Sequence, residues 1–417
     1  MPRLEKVFEQ FMEYFLSVKE TGQYAYFKPV TRSWGPEVEV MGRRLIMAGS
    51  NDYLGLTQEP RVREAVEKAI AGYGLGPSGT RFGQGHSALI EELEERLAAF
   101  VGKKHALVHG TGFLSNYGGL TSLITPQDVI LCDKEDHASI IEGCRAVGAR
   151  MARFKHNDEN AARTRLQGLC DKCPDGEVFL VTEGVFSMSG NIVRLPEFVA
   201  LKKDYPDLYL YLDDAHGLGV LGEGGRGTAN HFGLVEEVDC IMGTFSKAFA
   251  SIGGFVAMDD SDVYEYVKLA SKPLQMTSVL PPANAAAALA CVKILEKEPE
   301  IVEKLWRNAR RVRQGYKNIG LQFNEAESPI IPIFIGDEAT AYAISTELFE
   351  RGVFAIAAAY PAVPKGQALV RTAFMSTHED HHIDKVLEIL SDVAVKYKVR
   401  ASELKDRPVS LATASPV

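Results

Sequence analysis

Between residues 104 and 257 the sequence alternates short apolar runs with segments of helical periodicity. The runs are HALVHG, DVILCD, GARMARF, EVFLVTEG, LYLYLDDAH, CIMGTFS and GGFVAM. A short run that is apolar along its whole length suits a strand covered on both faces, and strands separated by helices pair in parallel through crossovers. An α/β architecture follows, with a mostly parallel sheet between helices on both faces. Polar residues gather where the runs end, at Asp133 to His137, Glu183 to Ser187, Asp213 to His216 and Thr244 to Lys247. Open α/β sheets place ligands at the C-terminal ends of their strands, which makes these clusters the first candidates for a site.

The flanks read differently. Helical periodicity covers roughly residues 3–19, then comes the aromatic link YAYFKPVTRSWGPEV and a hairpin around Met41-Gly42. Further helices are expected over 61–72 and 87–101, separated by GYGLGPSGTRFGQG, whose glycines allow close backbone approach. Beyond 262, long helical segments are interrupted by KPLQMTSVLPP. The runs IIPIFI, FAIAAAY and LVRTAFM, with helices at 338–351 and 380–396, predict a smaller α+β domain. The expected division is an N-terminal arm and hairpin over 1–55, a large domain over 56–295, a small domain over 296–400 and a disordered tail over 401–417. The boundary falls within a long helix around 290–310.

Composition removes several classes of function. Among 417 residues, Lys and Arg total 46 against 55 Asp and Glu, a net charge of −9 that opposes a phosphate-backbone binder. No nucleic-acid signature, G-x-G-x-x-G after a strand or G-x-x-x-x-G-K-[ST] loop occurs, so no nucleic-acid partner is expected. Six scattered cysteines suit a reduced, cytoplasmic protein. The one close pair, Cys170 and Cys173, has no second pair beside it and reads as a loop, so no metal is expected. No stretch has the roughly 20 apolar residues of a membrane span. The apolar face of the N-terminal helix suits either weak association with the inner membrane surface or a partner subunit.

Chemistry concentrates around Lys247 in TFSK, directly after an apolar run. A lysine there can form a Schiff base with a carbonyl or clamp a phosphate, and on these four residues alone a surface lysine is equally compatible. Upstream, Asp213 ends LYLYLD and His216 follows three positions later, so both can enter one crevice. An acid beside a protonated pyridine nitrogen would keep that ring cationic; a helix cap is the plain alternative for Asp213.

The segments GTFSKAFASIGGF, YLDDAHGLGVLGEGGRG, DKEDHASIIEGCR and TEGVFSMSGNIVRL resemble the α-oxoamine synthases, pyridoxal phosphate (PLP) enzymes of the aminotransferase fold type I, over residues 22–396. The resemblance implies a large domain with a mostly parallel seven-stranded sheet, a smaller C-terminal α+β domain and a homodimer with shared active sites. It implies that Lys247 is the Schiff-base lysine, that Asp213 pairs with the pyridine nitrogen, that His216 contacts the phenolic oxygen and that His137 stacks on the ring. Thr244, Ser246 and the backbone of Gly112 and Phe113 would surround the phosphate, Thr277 would reach it across the dimer, and Ser187 also belongs to the cofactor site. Asn51 and Arg371 match the positions that receive the amino-acid carboxylate, where the planar guanidinium fork suits the ligand.

Around the lysine, members using glycine or alanine usually carry GTLGKA. GTFSKAFASIGGF instead resembles members that condense L-serine with palmitoyl-CoA or a related long-chain acyl-CoA to 3-oxosphinganine, a step of sphingolipid synthesis. An alanine- or glycine-using synthase is the alternative, and a silent partner subunit is disfavoured because Lys247, Asp213, His216 and His137 are all present. Ile90 stands where the family commonly has a histidine, and His86 where a threonine is usual.

Overall fold

The computed structural model describes residues 27–170, 176–360 and 362–404, together with residues 4–6, 8, 9, 12 and 16. Cys170 ends helix Glu159–Cys170, whereas the rest of the expected Cys170–Cys173 loop, most of the first 26 residues and the tail beyond 404 lie outside the described residues.

Seven strands form the central sheet: β4 (His105–His109), β5 (Val129–Asp133), β6 (Arg150–Phe154), β7 (Val178–Glu183), β8 (Leu208–Asp213), β9 (Cys240–Thr244) and β10 (Gly254–Met258). They follow the seven apolar runs. Their order is β4-β10-β9-β8-β7-β5-β6, and β10 runs antiparallel to both its neighbours while the remaining pairs are parallel. Every residue of β5, β9 and β10 is buried, as expected for strands sandwiched between helices. One core cluster packs Leu131, Leu180, Leu210, Leu212 and Ile241 against helices Ala88–Val101 and Pro282–Lys297. The opposite face packs Ile130, Val181, Tyr211 and Met242 with Ile140 and Val267.

The smaller α+β region has its own core. β11 (Ile333–Gly336), β13 (Ile356–Ala358) and β14 (Ala368–Arg371) form a three-stranded antiparallel sheet against helices Glu300–Ile319, Glu338–Glu350 and Asp380–Tyr397. The N-terminal hairpin joins this region. β1 (Val30–Ser33), β2 (Glu37–Val40) and β3 (Arg43–Met47) form a sheet with β12 (Val353–Phe354), where Val353 pairs with Ile46. Met41 and Gly42 both have positive φ, 52° and 73°, which gives the two-residue turn a twist matched to its strands.

Two expectations change. The long helix around 290–310 is two helices, broken between Lys297 and Glu300. Pro299 lacks a backbone N–H and its ring disfavours helical geometry at Glu298. The segment expected to be disordered from 401 begins with a short helix, Ala401–Leu404, whose Leu404 is buried.

Candidate active site

Adjacent strands β9, β8, β7 and β5 deliver Thr244, Asp213, Glu183 and Asp133 to one edge of the central sheet. Lys247 follows β9 in a loop anchored by the fully buried rings of Phe245 and Phe249. The two rings join the main core, and between them Ser246 is exposed and Lys247 half-buried. Asp213 is buried: its Oδ2 accepts Asn116 Nδ2 at 2.6 Å and its Oδ1 accepts the Ala215 N–H at 3.0 Å.

Asn116 links this carboxylate to His137. Its Nδ2 also donates to Ser139 Oγ at 2.9 Å, and its Oδ1 accepts Tyr211 OH at 3.1 Å. Ser139 Oγ lies 2.8 Å from His137 Nδ1, which also accepts the Ser139 N–H at 3.2 Å as it caps helix Ala138–Val147. With Nδ1 accepting, a neutral His137 carries its proton on Nε2. The ring itself is exposed at the sheet edge.

A second network crosses from the smaller region. Arg371 ends β14 and donates from Nε to Ser187 O at 2.9 Å, from Nη1 to Gly49 O at 3.4 Å and from Nη2 to Asn51 Oδ1 at 2.8 Å. Backbone pairing sets this meeting, because Ala373 N–H donates to Ala48 O and Gly49 bridges Ala373. Tyr53 OH donates to Asn51 Oδ1 at 3.3 Å and lies 2.7 Å from His216 Nδ1.

Helix Gly112–Leu123 starts at the same edge. Thr111 caps it by accepting the Leu114 N–H, leaving the Gly112 and Phe113 N–H groups ahead as helix-start donors. A Cβ on Gly112 would stand 2.6 Å from Thr244 Oγ1, so glycine keeps that surface open. Thr244 Oγ1 lies 3.0 Å from Ser246 Oγ and bonds Gly253 O. Thr277 does not join this cluster within the chain: its hydroxyl donates to Pro273 O at 2.7 Å, beside the Val108–Gly110 segment.

Burial pushes the Lys247 amine down to about 8, while the charge of Asp213 pulls in the opposite direction and Arg371 reinforces the depression. Burial, with the positive charge of Lys247 and Arg371, holds His216 well below the usual imidazole range, so this ring is neutral. Burial also lifts Asp214 to about 7 against the hydrogen bonds from Thr228.

Reading the sequence did not single out Tyr53, Asn116, Ser139 or Asp214. A signal was present for Asn116, the one side-chain amide in a helix without charged residues, and it is completely buried. Ile90 is packed in the main core and offers no polar group. His86 pairs with Glu91 at 2.8 Å and contacts Arg81, which in turn pairs with buried Glu94.

A lysine of lowered basicity, a hydrogen-bonded carboxylate, a neutral histidine and an open helix start together suit a phosphorylated aldehyde cofactor. Residues 44–390 match the family described as aminotransferase class I and II, and the chain belongs to that family. Among its relatives, a serine palmitoyltransferase of Sphingobacterium spiritivorum is 42% identical over 371 residues, covering 89% of this chain and 92% of the relative. An 8-amino-7-oxononanoate synthase of Bacillus velezensis is 38% identical over 378 residues, 90% of this chain and 95% of the relative. The solved serine palmitoyltransferase from S. paucimobilis with a bound PLP-myriocin aldimine superposes with a TM-score of 0.91 at 30% identity, covering 94% of this chain and 99% of that one.

Proposed function

We propose that the chain is a PLP-dependent acyltransferase that condenses L-serine with palmitoyl-CoA, or a related long-chain acyl-CoA, to give 3-oxosphinganine, CoA and CO2. The observation that carries the reading is Lys247, a half-buried amine of lowered basicity facing Asp213 and Arg371 at the strand ends. The 42% identity to a serine palmitoyltransferase and the GTFSKAFASIGGF segment support serine as the amino acid. The 38% identity to an 8-amino-7-oxononanoate synthase makes alanine with a pimeloyl thioester the competing reading.

The residues fit the cofactor. Asp213 would face the ring nitrogen, His216 the phenolic oxygen and His137 the ring face, with Ser187 alongside. The open start of the helix at Gly112 and Phe113, with Thr244 and Ser246, would hold the phosphate through free N–H groups and hydroxyls. Bound there, PLP supplies an electron sink for negative charge at the amino acid's α-carbon.

Lys247 Nζ, unprotonated above about pH 8, takes the α-proton. Arg371 and Asn51 hold the serine carboxylate. Arg371 already donates to Asn51 Oδ1, which orients the Asn51 amide so that Nδ2 is directed away from the guanidinium as a further donor. His137 offers its Nε2–H to the carboxylate or to the incoming acyl carbonyl. Arg371 selects no amino acid among serine, alanine and glycine, since all carry a carboxylate; discrimination falls to partners of the serine hydroxyl.

A homodimer with shared sites is part of the reading. Val279 N–H donates to Gly79 O, tying the Thr277 segment to the glycine-rich loop, and exposed Leu75, Phe82, Phe113 and Met276 offer apolar surface for a second copy. A strictly monomeric preparation with full activity would remove this part. Among the described residues no helix is long and apolar enough to cross a membrane. Exposed Leu4, Phe8, Met12 and Leu16 recur every four residues, a stripe suited to peripheral attachment of a cytoplasmic enzyme at the inner membrane surface. Loss of vesicle binding on deleting residues 1–20 would support that attachment, and unchanged binding would exclude it.

The cofactor reading is tested by reconstituting purified protein with PLP, reducing with borohydride and mapping peptides. The expected label is on Lys247; a label elsewhere, or none, contradicts it.

A further inference from the structure

Glu183 has no part in the mechanism above, yet it is only 2% exposed at the active edge. It ends β7 in direct register with Asp213 on β8. Its Oε1 is buried and has no hydrogen-bond partner among the described residues. Facing it are Asp213 from β8, Asp133 and Asp136 from the end of β5 and its following turn, and Lys247 from the loop after β9. The backbone N–H of His137 is directed toward it and opposes its protonation. Asp136 Oδ1 accepts the Glu183 backbone N–H at 3.2 Å, which fixes the main chain and adds a further carboxyl nearby.

Two carboxyl groups at the ends of neighbouring buried strands compete for one negative charge. Asp213 has the stronger claim, with a side-chain amide at 2.6 Å and a backbone N–H at 3.0 Å. Among the described residues Glu183 has no side-chain donor, and an unpaired buried oxygen is costly when it carries charge.

We propose that Glu183 is a positioning residue held as a neutral carboxylic acid between the His137 turn and Asp213, leaving Asp213 as the single anion at the strand ends that the cofactor's ring nitrogen and Lys247 meet. The role toward the ring nitrogen rests on the proposed cofactor reading; the protonation state is a property of the chain alone. Burial raises the affinity of Glu183 for its proton, the charge of Asp213 adds to this, and Lys247 opposes it. Ionising Glu183 would place a second negative charge beside Lys247, stabilise its ammonium form and withdraw the free amine.

Infrared spectroscopy of the PLP-free protein reads this directly. At pH 7 the wild type should show a protonated-carboxyl band that shifts on 13C-labelling of glutamate, which separates it from Asp136 and Asp214, and that disappears in Glu183→Gln. Glu135, also raised by burial, is removed as a source by repeating the measurement in Glu135→Gln, which serves equally if Glu183→Gln does not fold. In a second arm, the pH midpoint for Lys247 adduct formation with PLP should move by less than about 0.3 unit in Glu183→Gln, because no charge is lost. Absence of the glutamate band, or a midpoint lowered by roughly one unit or more as for removal of a nearby anion, overturns the proposal. If the band is present but no PLP adduct forms, the cofactor reading fails and the neutral Glu183 stands.

Discussion

Thr244, Asp213 and Glu183 come from neighbouring strands of one sheet, whereas Arg371 reaches partners 184 and 320 residues away in sequence, Ser187 and Asn51. The first group is held by a sheet buried on both faces and by the linked amides and hydroxyls of Asn116, Ser139 and His137. The second depends on how the smaller region, with its separate core, meets the larger one. The proposed cofactor side is thus built as a fixed edge. The proposed substrate side would be assembled by a single guanidinium on contacts that substrate can replace, since a carboxylate competes well with backbone carbonyls for its fork.

Substitutions at the two sides should separate accordingly. The largest effect is expected for Lys247→Ala, which removes the proposed base: turnover should fall on the order of 10²–10⁴-fold or more while PLP still binds non-covalently. In the wild type, the rate of PLP adduct formation should rise with pH through a midpoint near 8, because only the unprotonated amine attacks. A midpoint near that of an exposed lysine would show that the edge does not perturb the amine.

Arg371→Ala should be smaller and of a different kind. Losing a charge-assisted contact worth roughly 1.5–3 kcal/mol should raise the KM for serine about 10- to 100-fold, with PLP affinity unchanged and the Lys247 midpoint moved upward because a nearby positive charge is lost. Arg371→Lys should recover only part, as a point charge does not reproduce the fork. A parallel loss of PLP affinity would break the proposed division. The smallest effect is expected for Tyr53→Phe, which removes one hydroxyl between His216 and Asn51 and should cost about 0.5–1.5 kcal/mol, measured as a few-fold change in kcat/KM. An effect as large as that of Arg371→Ala would mean that the two networks act as one.

The same contrast explains what was legible in the sequence. Strands covered on both faces leave uninterrupted apolar runs, so β4 to β10 and the polar residues at their ends could be read directly. Asn51 and Arg371 could be named only through motif resemblance, because nothing local in GSNDYLGL or ALVRTAFM shows that Gly49 bridges Ala373. Tyr53 and Asn116 were missed for a related reason: each hydroxyl or amide gains its meaning from partners 95 or more residues away, His216 and Tyr211. Joining of the hairpin to β12 was equally hidden, since a two-residue strand such as Val353–Phe354 leaves no periodic signature.

The central claim is the choice of serine and a long acyl thioester. Purified, PLP-loaded protein should be given serine, alanine and glycine, each with palmitoyl-CoA and with a short or pimeloyl thioester, and the products identified by mass alongside kcat/KM. The account predicts CO2, free CoA and 3-oxosphinganine from L-serine with palmitoyl-CoA, with alanine and glycine substantially poorer. Efficient turnover of alanine with the pimeloyl thioester, without comparable turnover of serine, would contradict the substrate assignment.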